Sequence, residues 1–361
     1  MIGMTGMTGP PMPAPPPLQP LDTAPATTPA GLVLHVARGR DAGGLVQAMH
    51  DLVGDRDAPK PRFPGPNPVS LERASLAGLD PAKYWVCEKT DGVRYALVAT
   101  TYRGHRLLTL FDRTLTPYVV PLAAVPCAWF QGTVVDGELA FDKASKRHVF
   151  LAFDAVMVSG VPVFHLPLSR RLDALRTSMR DYAPHEADPF GIRIKTFFAL
   201  ARLDAFEAAL DAVRARYDID GLVLSPEAGD VVYGRHMGMY KFKPFGGAAA
   251  HTVDFLVGAD GRQLLVFDAG RHVTVAVLVS GGQAAVPDTI VECAHVRGDE
   301  WRAVGTRQDK ATANDAFTFR KTVLNIQEAI GLGDLRTVVV RHAGGPGGTK
   351  LTVDPGAPAH A

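Results

Sequence analysis

Ahead of an Asp-Gly turn stands a lysine with the setting of a nucleophile, in Glu88-Lys89-Thr90-Asp91-Gly92-Val93-Arg94. Taken alone, Lys-X-Asp-Gly is most often a solvated cation followed by a turn. Segments downstream change that reading. Asp136-Gly137-Glu138 closes one β-rich run, Phe153-Asp154 closes another, and Asp220-Gly221-Leu222-Val223 opens a third. In Lys241-Phe242-Lys243 the lysines alternate, which puts both ammonium groups on one side of a strand. Arg307-Gln308-Asp309-Lys310 comes last. These residue types suit chemistry at phosphorus. A lysine amine attacks phosphorus only when unprotonated, and its free pKa is about 10.4. Neighbouring cations disfavour the ammonium form; Lys241 and Lys243 are the candidates for that part and for holding phosphate oxygens. Glu138 and Asp220 suit a ribose hydroxyl and a hard metal ion such as Mg²⁺. Phe153 suits stacking on a base, and an arginine suits clamping phosphate or ribose oxygens.

The elements that must position these groups are legible in outline. Short β-rich runs are predicted at Tyr84–Val86, Arg94–Tyr102, Arg106–Phe111, Thr133–Phe141 and Val149–Ala155, separated by Gly, Asp or Pro. Leu168, Leu172, Leu175 and Met179 fall at helical spacing, as do Leu203, Phe206, Leu210, Val213 and Tyr217. Helices among antiparallel-looking strands predict an α+β fold. Beyond a Gly/Ala stretch near 244–251, the predicted hinge, strands recur at roughly ten-residue spacing and predict a small barrel. A helix bearing Phe319, Val323, Ile326 and Ile330 on one face follows. A shorter helix is predicted around Leu45, Met49 and Val53.

Composition bounds the answer. The 361 residues imply two to three domains, and an apolar fraction of 47% suits a folded core. With 38 Lys plus Arg against 37 Asp plus Glu, neither a strongly basic nucleic-acid coat nor an acidic disordered activator fits. A local basic cleft is still allowed, because a net sum hides clustering. Cys87, Cys127 and Cys293 are too few and too dispersed for a disulfide framework or a thiolate zinc site, so an intracellular, reducing setting is expected. Cys87 shares a strand face with Lys89 and is flagged as thiol-reactive at most, not catalytic. No apolar run approaches the roughly 18 residues of a membrane span, and the first residues lack the basic and apolar regions of a secretory signal. Residues 1–30 hold nine prolines and one charged side chain, Asp22, a composition that favours disorder.

In order and spacing, the blocks around Lys89 resemble the motifs of the covalent nucleotidyltransferases, the mRNA guanylyltransferases (capping enzymes) and the ATP-dependent polynucleotide ligases. The details resemble capping enzymes. Lys89-Thr90-Asp91-Gly92-Val93-Arg94 is similar to their first motif, and Phe63-Pro64-Gly65-Pro66-Asn67-Pro68-Val69-Ser70 to their lead-in. Trp301 to Lys310, continuing through Thr322-Val323-Leu324-Asn325-Ile326, is similar to their last motif and terminal helix, notably in viral, monofunctional guanylyltransferases. The resemblance spans about residues 63–335.

What it implies is specific. The fold would be a nucleotidyltransferase (ATP-grasp-like ligase/capping) domain of antiparallel sheets with helices, at 61–246, followed by a C-terminal OB-fold β-barrel at 247–340. Residues 1–60 would be a disordered Pro-rich extension and 341–361 a flexible tail, with the helix at 316–335 a candidate to return to the first domain. Lys89 would form lysyl-GMP from GTP and pass GMP to 5′-diphosphate RNA. Thr90 belongs to the nucleotide-binding set, and Arg94, Arg113 and Glu138 would contact ribose. Phe153 would stack on guanine and Lys195 read its edge. Asp220, with Glu138 as second candidate, would serve Mg²⁺ or Mn²⁺. Lys241 and Lys243 would bind near the α-phosphate, and Arg307, Asp309 and Lys310 would orient the β and γ phosphates. No triphosphatase or methyltransferase signature is present in the sequence, so those steps, and RNA polymerase as a candidate partner, would belong to other proteins. Two rivals stand beside this reading: a ligase that forms lysyl-AMP, and a non-catalytic RNA-binding scaffold of the same fold.

Overall fold

The computed structural model describes residues 19–54, 60–121, 125–244, 251–307, 310 and 312–344. A nine-stranded sheet runs through the first half of the chain, and its centre is the antiparallel set Val93–Tyr102, Thr133–Asp142 and Arg147–Val158. Those strands are apolar on both faces because both are covered. On one side Leu97, Val135 and Phe150 join Trp129 and Leu175; on the other Ala96, Val98, Val134 and Val156 meet Leu45, Met49 and Val53 of helix Gly39–Val53.

That helix and the hairpin before it correct the expected boundary. Residues 19–54 are no disordered extension. Strands Thr23–Thr27 and Val33–Ala37 pair with each other, and the second joins Pro117–Val119, extending the sheet to its edge. The edge position explains how a proline-bearing strand is accommodated, since an edge strand leaves one row of backbone groups unpaired. The rest of the predicted extension, residues 1–18 and 55–59, lies outside the described residues. The proline-rich lead-in is also structural: Pro66–Ser70 runs parallel to Gly234–Phe242 as the edge of a second sheet.

This second sheet carries five strands in the order Phe198–Ala199, Tyr84–Thr90, Ile219–Pro226, Gly234–Phe242 and Pro66–Ser70. Leu222, Leu224, Val86 and Phe242 point into a core closed by Phe206 and Leu210 of helix Leu203–Arg216. Arg171 of helix Leu168–Ser178 reaches the first sheet, where its guanidinium donates to both oxygens of Asp154 (2.6 and 2.9 Å) and to the Leu166 and Gly229 carbonyls. Both side chains are about 95% buried or more. Removing one partner of such a pair strands a buried charge. Arg171→Ala is therefore expected to cost about 3–5 kcal/mol, read from the denaturant midpoint; a loss below about 1 kcal/mol would show that the pair is dispensable.

Past the hinge segment, of which 245–250 lie outside the described residues, five strands close into a barrel in the order Thr252–Val257, Gln263–Asp268, Arg271–Leu278, Glu300–Thr306 and Ile290–Arg297. The parallel contact between Arg271–Leu278 and Glu300–Thr306 seals it. Trp301 fills its centre, edge-on to Phe255 at 5.2 Å. Helix Ala316–Glu328 lays Phe319, Val323 and Ile326 on this barrel. Ile330 lies beyond that helix and packs instead with the second sheet's core, together with Leu335 and Val338 of helix Leu332–Ala343. Both C-terminal helices thus return to the first domain: the first through polar contacts such as Asn325 to the Leu71 carbonyl and Lys321 to Glu72, the later one by packing into the core.

Candidate active site

Lys89 is the penultimate residue of strand Tyr84–Thr90, directly opposite Gly221 in the neighbouring strand. The register slips between Ile219 and Gly221, so Asp220 is an extra residue in a bulge. A bulge re-aims a side chain, and here it brings the Asp220 carboxylate to Lys89. Lys89 Nζ donates to Asp220 Oδ2 at 2.8 Å, and Lys243 Nζ meets Oδ1 at 2.7 Å. Burial pushes the Asp220 carboxyl up, but the two ammonium groups outweigh it and hold it below the usual carboxylate range. Lys241 opens onto the same cleft. Partial desolvation, then the charges of Lys89, Lys243 and Arg113, push its ammonium down.

Phe153 also owes its position to an irregularity. Asp136 pairs with Asp154 and Gly137 with Ala152, which leaves Phe153 as the unpaired residue between them. Its ring lines a pocket with Lys89, Arg113, Glu138, Lys195 and Met239. Lys195 Nζ lies 5.8 Å from the ring centroid, donates to the Glu88 carbonyl at 3.1 Å, and approaches the Glu88 carboxylate at 3.6 Å. A lysine thus stands at the edge of the surface on which a base would lie.

Arg94 faces the pocket but is tightly engaged. Its Nε and Nη2 donate to the two Asp136 oxygens, and Nη1 donates to Asn67 at 3.1 Å. Phe63 lies 4.8 Å from the guanidinium carbon and Phe153 5.6 Å. Burial pushes Asp136 up to about 6, with Arg94 pulling against it. A Cβ on Gly65 would stand 2.1 Å from Asp136 Oδ2 and 2.6 Å from Arg94 Nη2. The Phe63–Asn67 lead-in therefore boxes in this arginine, and the expected ribose contact is restricted to whatever hydrogen-bonding capacity Asp136 and Asn67 leave.

A second recess continues from the first, between the second sheet and the C-terminal elements. Arg113, Lys241, Lys243 and Lys310 line it together with Thr318 and Asn325. Lys310 arrives there anchored on Asp254, whose carboxylate also takes the Arg307 guanidinium at 3.0 and 3.2 Å. Arg307 is placed behind Lys310 and does not line the cleft. Asp309 lies outside the described residues. Thr90 is not brought to the pocket: it is fully buried on the opposite strand face, with its hydroxyl 3.4 Å from Glu88. Cys87 is buried and its thiol is pushed up to about 12, which makes it inert rather than reactive. Asp254 thus holds both Arg307 and Lys310.

Among the described residues no cluster of three or more His, Cys, Asp or Glu side chains has metal-binding geometry. A Mg²⁺ site completed by substrate phosphates needs only one or two carboxylates; of the two expected here, Asp220 is engaged by Lys89 and Lys243, and Glu138 lines the pocket of Phe153.

The model of the mRNA capping enzyme catalytic domain matches residues 32–245. The chain belongs to that family. The chain is 26% identical over 324 residues to the mRNA-capping enzyme subunit alpha of Schizosaccharomyces pombe, covering 76% of this chain and 79% of that one. It is 25% identical over 296 residues to the mRNA-capping enzyme of Danio rerio, covering 74% of this chain and 48% of that protein. Among solved structures, mycobacterial DNA ligase D complexed with ATP superposes with a TM-score of 0.42 at 14% identity, over 68% of this chain and 96% of that one.

Proposed function

We infer that this chain is an mRNA guanylyltransferase working through a lysyl-GMP intermediate. The observation that carries the reading is Lys89, held on Asp220 where an aromatic pocket meets a cationic cleft. GTP would lie with its base on Phe153 and its triphosphate in the cleft. Lys195 donates, and the guanine edge offers two acceptors, O6 and N7, where adenine presents a donor in place of O6. Glu138, opposite Arg94 in the sheet, would accept from ribose hydroxyls.

In the first half-reaction Lys89 Nζ, after losing its proton, attacks the α-phosphorus. The N–P bond forms, the bond to the β-phosphate oxygen breaks, and pyrophosphate leaves. Lys241, Lys243 and Lys310 would stabilise the charge that gathers on the phosphate oxygens. In the second, a terminal oxygen of a 5′-diphosphate RNA attacks the same phosphorus and Lys89 departs, giving GpppN. Mg²⁺ or Mn²⁺ held by Asp220, when bound, would add Lewis-acid neutralisation of phosphate charge. A triphosphatase must supply the diphosphate end, and cap methylation would follow on another protein.

Incubation with α-labelled GTP or ATP and a divalent metal, followed by denaturing electrophoresis, tests this. The expected result is a covalent label from GTP that diphosphate-ended RNA chases off. A label from ATP alone would make the protein a ligase; no label from either would leave a scaffold.

A further inference from the structure

The cationic cleft has an outer margin that the nucleotide would not use. Helix Ala316–Glu328 lines the cleft with Thr318, Thr322 and Asn325, a stripe one turn apart. One position round the helix stand Phe317 and Lys321. Phe317 keeps 42% of its surface exposed, yet two cations lie on its ring: Arg235 at 4.7 Å, from strand Gly234–Phe242, and Lys321 at 5.6 Å. Lys321 is steadied by Glu72 at 2.6 Å. Two residues beyond Arg235 on its strand, Met237 is 67% exposed. Phe317 does not line the pocket that holds Phe153 and Lys195.

An exposed aromatic ring between two cations, beside a phosphate-binding cleft, has the parts of a single-strand platform: charge for the backbone and a π-face for a base. A diphosphate end seated at Lys89 must trail its first nucleotides out of the cleft, and this helix forms one of the cleft's walls. We infer that acceptor RNA leaves along helix Ala316–Glu328, with an early base stacked on Phe317 and the flanking phosphates met by Arg235 and Lys321. The inference rests on the guanylyltransferase reading and adds the path of the second substrate.

The two half-reactions separate the outcomes. Full-length wild type, Phe317→Ala and Phe317→Tyr are charged with labelled GTP and then offered either GDP or a 5′-diphosphate RNA of about twenty nucleotides as acceptor, the RNA alone being long enough to use a stacking platform. Phe317→Ala is expected to form lysyl-GMP and to guanylylate GDP at wild-type rates. Its kcat/KM for RNA should fall roughly tenfold through KM, the scale of one lost base–aromatic stack, and Phe317→Tyr should restore it. Equal losses for GDP and RNA, or parallel slowing of lysyl-GMP formation, would make Arg235 and Phe317 a clamp between strand and helix and overturn the inference. Unaltered RNA transfer would overturn it as well. A wild type that takes no label removes the underlying reading, whereas a charged wild type with an indifferent Phe317→Ala removes this one alone.

Discussion

Lys89→Ala is expected to abolish the covalent label while leaving the fold intact. Removal of a covalent nucleophile costs at least about 10⁴-fold in rate, which places the variant at background in this assay. The fold should survive because Asp220 keeps Lys243 at 2.7 Å, so no buried carboxylate is left unpaired. Lys89→Arg sharpens the test. Arginine keeps the charge beside Asp220 but stays protonated at any accessible pH, so it cannot present a lone pair to phosphorus. If the loss came from a broken ion pair, Lys89→Arg would recover part of the rate; if it came from the missing nucleophile, both variants would be equally unlabelled. Measurable labelling of Lys89→Arg, above about one part in a thousand of wild type, would mean that another residue carries the nucleotide. Thermal melts of the three proteins should agree to within a few degrees, which separates chemistry from unfolding.

The parts of the site that were legible in the sequence follow simple strand alternation. Lys241 and Lys243 lie two residues apart near one strand end and both reach the cleft. Helix periodicity likewise placed Leu45, Met49 and Val53 on one buried face. What was not legible has physical causes. Asp220 and Phe153 were named from the sequence, but the ladder slips that aim them were not, because no periodic pattern announces a bulge. Thr90 was grouped with the nucleotide set through the Lys89–Arg94 motif, but neighbours in a strand point to opposite faces. The Thr23–Thr27 strand reads as a polyproline tail until its edge position is known. Asp254 is separated from Arg307 by 53 residues, and only the closure of the barrel brings them together. Local chemistry was therefore readable where it depended on spacing within one element, and lost where it depended on register between elements.

That dependence on register makes Gly221 the position where one methyl group should do most harm. Its backbone φ is +157°, and an added Cβ would stand 2.2 Å from the Phe242 carbonyl oxygen and 3.2 Å from the Lys243 Cα. Neither neighbour is the far end of a flexible side chain, so the strand Gly234–Phe242 itself must move. Overpacking of this kind costs about 1–3 kcal/mol in stability. The activity should fall further than that figure suggests. Gly221 pairs with Lys89 on one side and abuts the start of Lys243 on the other. Any shift therefore alters the spacing of Lys89, Asp220, Lys241 and Lys243 together. Misplacement of reacting groups by about 1 Å costs on the order of 10²-fold in rate. Gly221→Ala is accordingly expected to form lysyl-GMP about 100-fold more slowly while remaining folded. Gly43→Ala is the control, since nothing lies within 4 Å of its Cβ position inside helix Gly39–Val53. There alanine should raise stability by up to about 1 kcal/mol and leave the labelling rate unchanged. Labelling of Gly221→Ala within threefold of wild type would show that the strand end can yield without disturbing the lysines, and the tight coupling of register to catalysis argued for this site would be wrong.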